Sequence, residues 1–217
     1  MNSAPATQQW EDTLLTSILD MARTTDGDFT VIDRLIHASS DATSFGLMIN
    51  HLSRHPQGKQ AFADRPQLGT IDQQALMQLA PHTLGYAYAH HLQVNGLNPL
   101  PTQPATNNAQ FLGLHITETH DIWHVVTGCD TSILGELQLE AFYVAQLQAS
   151  RFWLALVTKN LLKVVMHDIE QATAYMDAIT TGWLMGKQAK PLFGIRWNTL
   201  WDAPLADIRA SLKIVLA

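Results

Sequence analysis

Apolar residues recur every three or four positions along almost the whole chain, the spacing of one face of an α-helix rather than the alternation of a strand. Leu14, Leu15, Ile18, Leu19 and Ala22 fall on one side of residues 10–23, and Val31, Ile32, Leu35 and Ile36 repeat the pattern over 29–38. Asp41 predicts an N-cap for a helix over 43–54, which has to stop before His55-Pro56. Thr70-x-x-Gln73 has capping-box form ahead of Ala75, Leu76 and Leu79. A helix over 84–94 closes at Asn95-Gly96. Residues 98–108, NPLPTQPATNN, predict the one long Pro-rich loop. Beyond it lie helical runs over 109–127 (ending at Gly128), 132–166 with a break near Ser150, 169–187 and 205–212. Only 214–217 could form a strand. The pattern defines an all-α fold, a single-domain helical bundle over 1–217, with 1–8 expected to be disordered.

Composition narrows the partners. Of 217 residues, 47% are hydrophobic and 15% charged, and the net charge is −6. The apolar share excludes a disordered chain. The low charged share predicts an apolar outer surface facing a partner or a lipid. No basic run exists, so no nucleic-acid partner is expected. The lone Cys129 excludes an intrachain disulfide and a thiolate zinc finger. The N-terminus has neither the basic and apolar regions of a signal peptide nor the Arg-rich pattern of a transit peptide. The most apolar stretch, 152–166, carries Lys159 and Lys163. It falls short of the roughly 20 apolar residues that a transmembrane helix needs.

Chemistry concentrates at His120-Asp121-Ile122-Trp123-His124, with Glu136 after a spacer of eleven residues. His120 and His124, four apart, share one helix face, with Asp121 on its shoulder. Gly128-Cys129-Asp130 reads as a turn, with Thr131 or Ser132 capping the next helix. His124 and Glu136 then lie at similar distances, roughly 6 Å, from the bend of an αα-hairpin. The resulting cluster of two imidazoles and two carboxylates suits a divalent metal, Zn²⁺ first, with Fe²⁺, Mn²⁺ or Mg²⁺ as alternatives. Glu140 and Tyr143 share the Glu136 face and are candidates to support the ligands or touch a substrate. Phe152, Trp153 and Leu156 form a stripe that could wall an apolar channel between helices. His51/His55 reads as a solvated helix end, His90-His91 as one buried and one exposed residue, and Asp168 as a helix N-cap.

Residues 118–136, ETHDIWHVVTGCDTSILGE, resemble the HDxxH-x11-E signature of the coenzyme Q (ubiquinone) biosynthesis protein 4 family. Arg65-Pro66, the run LAPHTLGYAYA at 79–89, NGLNP at 95–99 and WDAPLADIR at 201–209 are similar to the family's flanking blocks. His115 and Thr117 stand where its members carry Arg. The resemblance implies an all-helical protein that binds a divalent metal, described as zinc, through His120, Asp121, His124 and Glu136. It also implies a prenyl lipid or prenylated quinone precursor as ligand. Two roles are implied with it. One is metal-assisted C1 decarboxylation, with hydroxylation, of a polyprenylated hydroxybenzoate, which would make the protein a lyase. The other is a non-catalytic lipid-binding scaffold for other quinone-biosynthesis proteins. The expected setting is the cytoplasm or the peripheral inner-membrane face of a bacterium, with contact to a membrane surface and homodimerisation both open. A further alternative is an HD-type metal-dependent phosphohydrolase, for which His82, His90 and Asp177 would have to supply the remaining ligands.

Overall fold

The structure, a computed structural model, describes residues 4–24 and 29–216. Eleven α-helices succeed one another among them: α1 (Ala4–Arg23), α2 (Phe29–Ser39), α3 (Ala42–Leu52), α4 (Pro56–Asp64), α5 (Gln73–Leu76), α6 (Leu84–Val94), α7 (Asn108–Thr127), α8 (Ile133–Leu147), α9 (Arg151–His167), α10 (Ala172–Gln188) and α11 (Leu205–Leu212). The fold is all-α, and no strand forms among the described residues. Residues 214–216, the candidate strand, are irregular, because Ile214 turns into the helical core and no neighbouring strand is there to pair.

Local chemistry accounts for most of the boundaries. Asp41 caps α3 through Ser44 N at 2.9 Å, and Thr83, Asn107, Ser132 and Ser150 cap α6, α7, α8 and α9 in the same way. Gly128 ends α7 in the left-handed conformation at φ 75°, returning its N–H to His124 O. The long run over 132–166 breaks where Gln148 takes φ 65°. Arg151 pairs with Asp41 there at 2.6 Å, and the Ser44 hydroxyl donates to Ala149 O, so the break is pinned against the start of α3.

Some boundaries differ from the pattern. α1 begins at Ala4, inside the stretch expected to be disordered, whose residues 1–3 lie outside the described ones. α4 begins at Pro56 itself, with His55 as its N-cap residue, because proline at the first helical position gives up no hydrogen bond. The capping box at Thr70 is not used. Asp72 caps Ala75 N instead, and α5 lasts one turn. Asp168 closes α9, and its side chain makes no cap for the 3₁₀ turn at Ile169–Gln171.

α8 is the axis of the bundle. Residues 139–143 are buried in succession, so this helix is enclosed on every side. It packs most closely on α10, where Gly182 lies against the backbone carbonyl of Gln138, and Gly186 against Phe142 and Ala145. A Cβ at Gly182 has no room, so the two helices approach to backbone contact. One hydrophobic core reaches from Met21 to Ile214, and a smaller one joins Leu137, Val157, Val164, Tyr175 and Ala178 between α8, α9 and α10. Arg209 of α11 donates to Val125 O and Val126 O at 2.7 and 3.0 Å, satisfying carbonyls that the end of α7 leaves open.

Candidate metal centre

The turn at 128–132 brings the last turns of α7 beside the first turn of α8. Asp130 accepts from Ser132 N at 3.0 Å and from its hydroxyl, fixing the turn, and Gly135 fits tightly over the Asp130 backbone. His120, His124 and Glu136 converge there, with one donor atom from each lying within 4.8 Å of the others. The two Nε2 atoms are 3.2 Å apart. Glu136 lies 3.3 Å from His124 Nε2 and 3.9 Å from His120 Nε2.

These residues could hold a divalent metal ion, and the geometry of the donors fits one. Three donors around a tetrahedral zinc with bonds near 2.0–2.1 Å are spaced by about 3.3 Å. His124 Nδ1 is 3.0 Å from Cys129 O, which can only accept, so Nδ1 carries the proton and Nε2 is free to act as a donor. His120 Nδ1 lies 3.3 Å from the Tyr143 hydroxyl, again turning Nε2 towards the group.

Electrostatics divide the two imidazoles. Burial and the neighbouring His124 push His120 down to about 4, so it is neutral at physiological pH. Burial also opposes charge on His124, but the hydrogen bond to Glu136 and its charge prevail and raise it. The same partner holds the Glu136 carboxyl below its ordinary range against the effect of burial. His124 and Glu136 thus each favour the charged form of the other.

Asp121, which the sequence pattern puts in the ligand set, does not join the group of three. Its Oδ1 faces His91 Nε2 of α6 at 3.5 Å, and the His91 ring stacks on His124 with centroids 5.4 Å apart. Glu140 is buried but turns to α9, where it accepts from Asn160 Nδ2 at 2.8 Å. Tyr143 does meet His120. It is also the middle of a stack: Trp123, Tyr143 and Trp153 lie with successive centroids 4.3 and 4.0 Å apart and almost parallel. His120 leans on the Trp153 face at 5.9 Å. Cys129 is buried and pushed up to about 11, an inert thiol. His82, His90 and Asp177 are exposed and outside the group.

An apolar cleft of about 610 Å³ opens beside the group. Its walls come from α2, α3, α7 and α9 and include Phe45, Met48, Leu112, Gly113, Phe152 and Trp153, and His120 and Asp121 also line it. Leu156 is buried in the core and does not line it. Sequence reasoning misses His91, whose position on α6 is remote in the chain. It also misses the α2–α3 side of the cleft, because neither helix carries a motif.

The fold and site together define an all-helical protein with a two-histidine, one-carboxylate centre at the edge of an apolar cleft. The sequence pattern of the family described as Coenzyme Q (ubiquinone) biosynthesis protein Coq4 matches residues 4–217, and the chain belongs to that family. Among curated relatives, the mitochondrial ubiquinone biosynthesis protein COQ4 homolog of Bos taurus is 25% identical over 173 residues, covering 76% of this chain and 63% of its own. The Xenopus laevis homolog is 23% identical over 192 residues, covering 82% and 63%. The Culex quinquefasciatus COQ4 homolog 1 is 23% identical over 167 residues, covering 73% and 58%. The chain thus spans less than two thirds of the length of these relatives. A crystal structure from Nostoc punctiforme superposes with a TM-score of 0.83 over 94% of this chain and 98% of that one, at 24% identity, and shows the same fold. No helix among the described residues is long and apolar enough to cross a membrane.

Proposed function

We propose that this chain is a divalent-metal- and prenyl-lipid-binding protein of ubiquinone biosynthesis that acts on a polyprenylated hydroxybenzoate, releasing its C1 carboxyl as CO₂. The observation that carries this reading is the double membership of His120. It is one of three converging donors, and it also lines the apolar cleft. A lipid tail lying in the cleft would therefore present a polar head to the ion. The cleft volume falls in the range of roughly 300–1,000 Å³ typical of small-molecule sites.

Zinc is the ion proposed, held by His120, His124 and Glu136, and when bound it supplies Lewis-acid polarisation of a ring carboxylate or phenolate oxygen. The chain's own residues do the rest. Phe152 and Trp153 keep water from the ring. The Tyr143 hydroxyl orients His120. When CO₂ leaves, the electron pair of the broken bond stays on the ring carbon and has to meet a proton. Burial keeps Tyr143 protonated, with its hydroxyl on His120 and not in the cleft, so the proton for the ring carbon is proposed to arrive from solvent once CO₂ has left. Accompanying hydroxylation would put one oxygen atom of O₂ on the ring in place of hydrogen, and an added two-electron reductant would carry the other atom to water. Other ubiquinone-biosynthesis proteins and a membrane surface are the proposed partners, since the substrate tail must be transferred without crossing water.

The test is CO₂ release from a prenylated hydroxybenzoate by zinc-loaded protein, with and without O₂. Release that disappears in Glu136→Gln supports the reading. Tight lipid binding without release under either gas assigns a scaffold role instead. Gly113→Phe points a ring into space where no atom lies within 4 Å of an added Cβ. It is expected to abolish lipid retention while the protein stays folded.

A further inference from the structure

We infer that the mouth of the apolar cleft, between α2, the Pro-rich loop and the first half of α7, is the face that this chain sets on a lipid bilayer, and that it does so without anionic lipid. This rests on the prenyl-lipid part of the reading above, and on nothing about the metal.

Five of the residues that line the cleft are exposed and mark its mouth: Ile36 and Ser40 of α2, Leu100 of the loop, and Gln110 and Thr117 of α7. None of them is charged. Residues 73–117 hold no Asp, Glu, Lys or Arg, although these make up 15% of the chain. One side of the mouth is therefore drawn from an uncharged tract. On the other side, Arg34 is paired with Asp20 at 3.3 Å and Arg151 with Asp41 at 2.6 Å. A free charge here would have to shed water on meeting lipid, and the mouth offers none.

The loop holds apolar side chains outward. Leu97 and Leu100 are 40% and 49% exposed. Leu100 stands between Pro99 and Pro101, and the chain beyond it is anchored: Thr102 Oγ1 donates to Gly69 O at 3.1 Å and Gln67 Nε2 to Gln103 O at 2.7 Å. Irregular backbone is costly against lipid because its N–H groups lose water without gaining a partner. Pro99, Pro101 and Pro104 have no N–H to lose.

Size names the occupant. At about 610 Å³ the cleft matches a drug-sized ligand, and a head group with a polyprenyl tail of more than a few units overfills it. The rest of the tail leaves by the mouth and has to stay out of water. A bilayer set against Ile36 and Leu100 receives it directly. With a net charge of −6 and no basic residue among the five, this face gains nothing from anionic headgroups. A second exposed apolar patch, Val165, Met166 and Ile169 at the opposite end of α9, is interrupted by His167 and Asp168, and none of its residues lines the cleft.

The test is co-sedimentation of the whole chain, residues 1–217, with phosphatidylcholine vesicles, with and without phosphatidylglycerol. Leu100→Asp and Ile169→Asp are compared, and thermal melting checks their folding. The wild type is expected to partition onto phosphatidylcholine alone, equally at low and high salt. Leu100→Asp should lower partitioning by about 10-fold or more, and Ile169→Asp by less than about 2-fold. An environment-sensitive dye on Leu100→Cys, placed selectively because Cys129 is buried, should shift to the blue on the vesicles. Binding that requires phosphatidylglycerol, an equal loss in both Asp variants, or a dye that does not shift overturns the proposal. A wild type that is dimeric without vesicles and monomeric as Leu100→Asp gives the mouth to a second copy of this chain, and also overturns it. A prenylated hydroxybenzoate in detergent separates the two readings. Bound there by a wild type that ignores vesicles, it leaves the prenyl-lipid reading standing and removes this face; left unbound, it sinks that reading itself.

Discussion

His124 Nε2 lies 3.3 Å from Glu136 Oε1, a contact that joins the end of α7 to the beginning of α8 across the Gly128 turn. Each group favours the charged form of the other, so protons and a cation compete for the same atoms. Replacing His124 by Ala removes a donor, and replacing Glu136 by Gln removes the negative charge. His124→Ala and Glu136→Gln are each expected to lower zinc affinity beyond the roughly 10–100-fold typical of outer-shell substitutions. Chelator competition measures this, and unchanged affinity in either variant contradicts the assignment.

Tyr143→Phe should separate ligand from support. The ring stays in its stack between Trp123 and Trp153, and only the hydroxyl facing His120 Nδ1 is lost. Zinc affinity should drop by about 10–100-fold while the melting temperature of the metal-free protein changes little. A large drop in melting temperature would instead place that hydroxyl in the stability of the core.

Metal binding should release a proton and weaken in acid. His124 is raised by Glu136, so below its raised value Nε2 is occupied by a proton that a cation has to displace. Affinity therefore falls as the pH falls through that value and levels off above it. His120, held at about 4, is already neutral there and adds nothing until far lower pH. Calorimetry in two buffers of different ionisation enthalpy counts the proton, and identical heats in both would exclude the release.

Gly182→Ala should destabilise by about 1–3 kcal/mol, because its Cβ meets the Gln138 carbonyl and the helices have to part. At about 2–4 °C per kcal/mol for a chain of this size, the loss is visible in thermal unfolding. Gly46→Ala, in α3 with no atom near the added Cβ, serves as the opposite case. It should hold or raise the melting temperature by relieving backbone entropy.

Helices bounded by caps, prolines or glycines are legible in the sequence. α6 and α11 run over the residues that the pattern marks, and α7 differs at its start by one. The hairpin too can be read, since two i,i+4 imidazoles, a glycine stop and a serine cap leave Glu136 little choice of direction. The features that stay hidden depend on contacts between distant segments. α4 is short, and its apolar face has meaning only against Phe111 and Phe193, which Phe62 meets in the core. Asp121 is chemically as good a ligand as Glu136. The imidazole beside it, His91 at 3.5 Å, comes from α6, beyond the Pro-rich loop, and no periodicity on α7 could announce it. Likewise Glu140 has the right spacing for the site, but α9 offers it Asn160 first.

Trp153 ends the aromatic stack beneath His120 and is also a wall of the cleft. A single indole thus borders both the three-donor group and the slot. With the other five tryptophans replaced, its fluorescence would gauge, without a label, the order in which the two are filled.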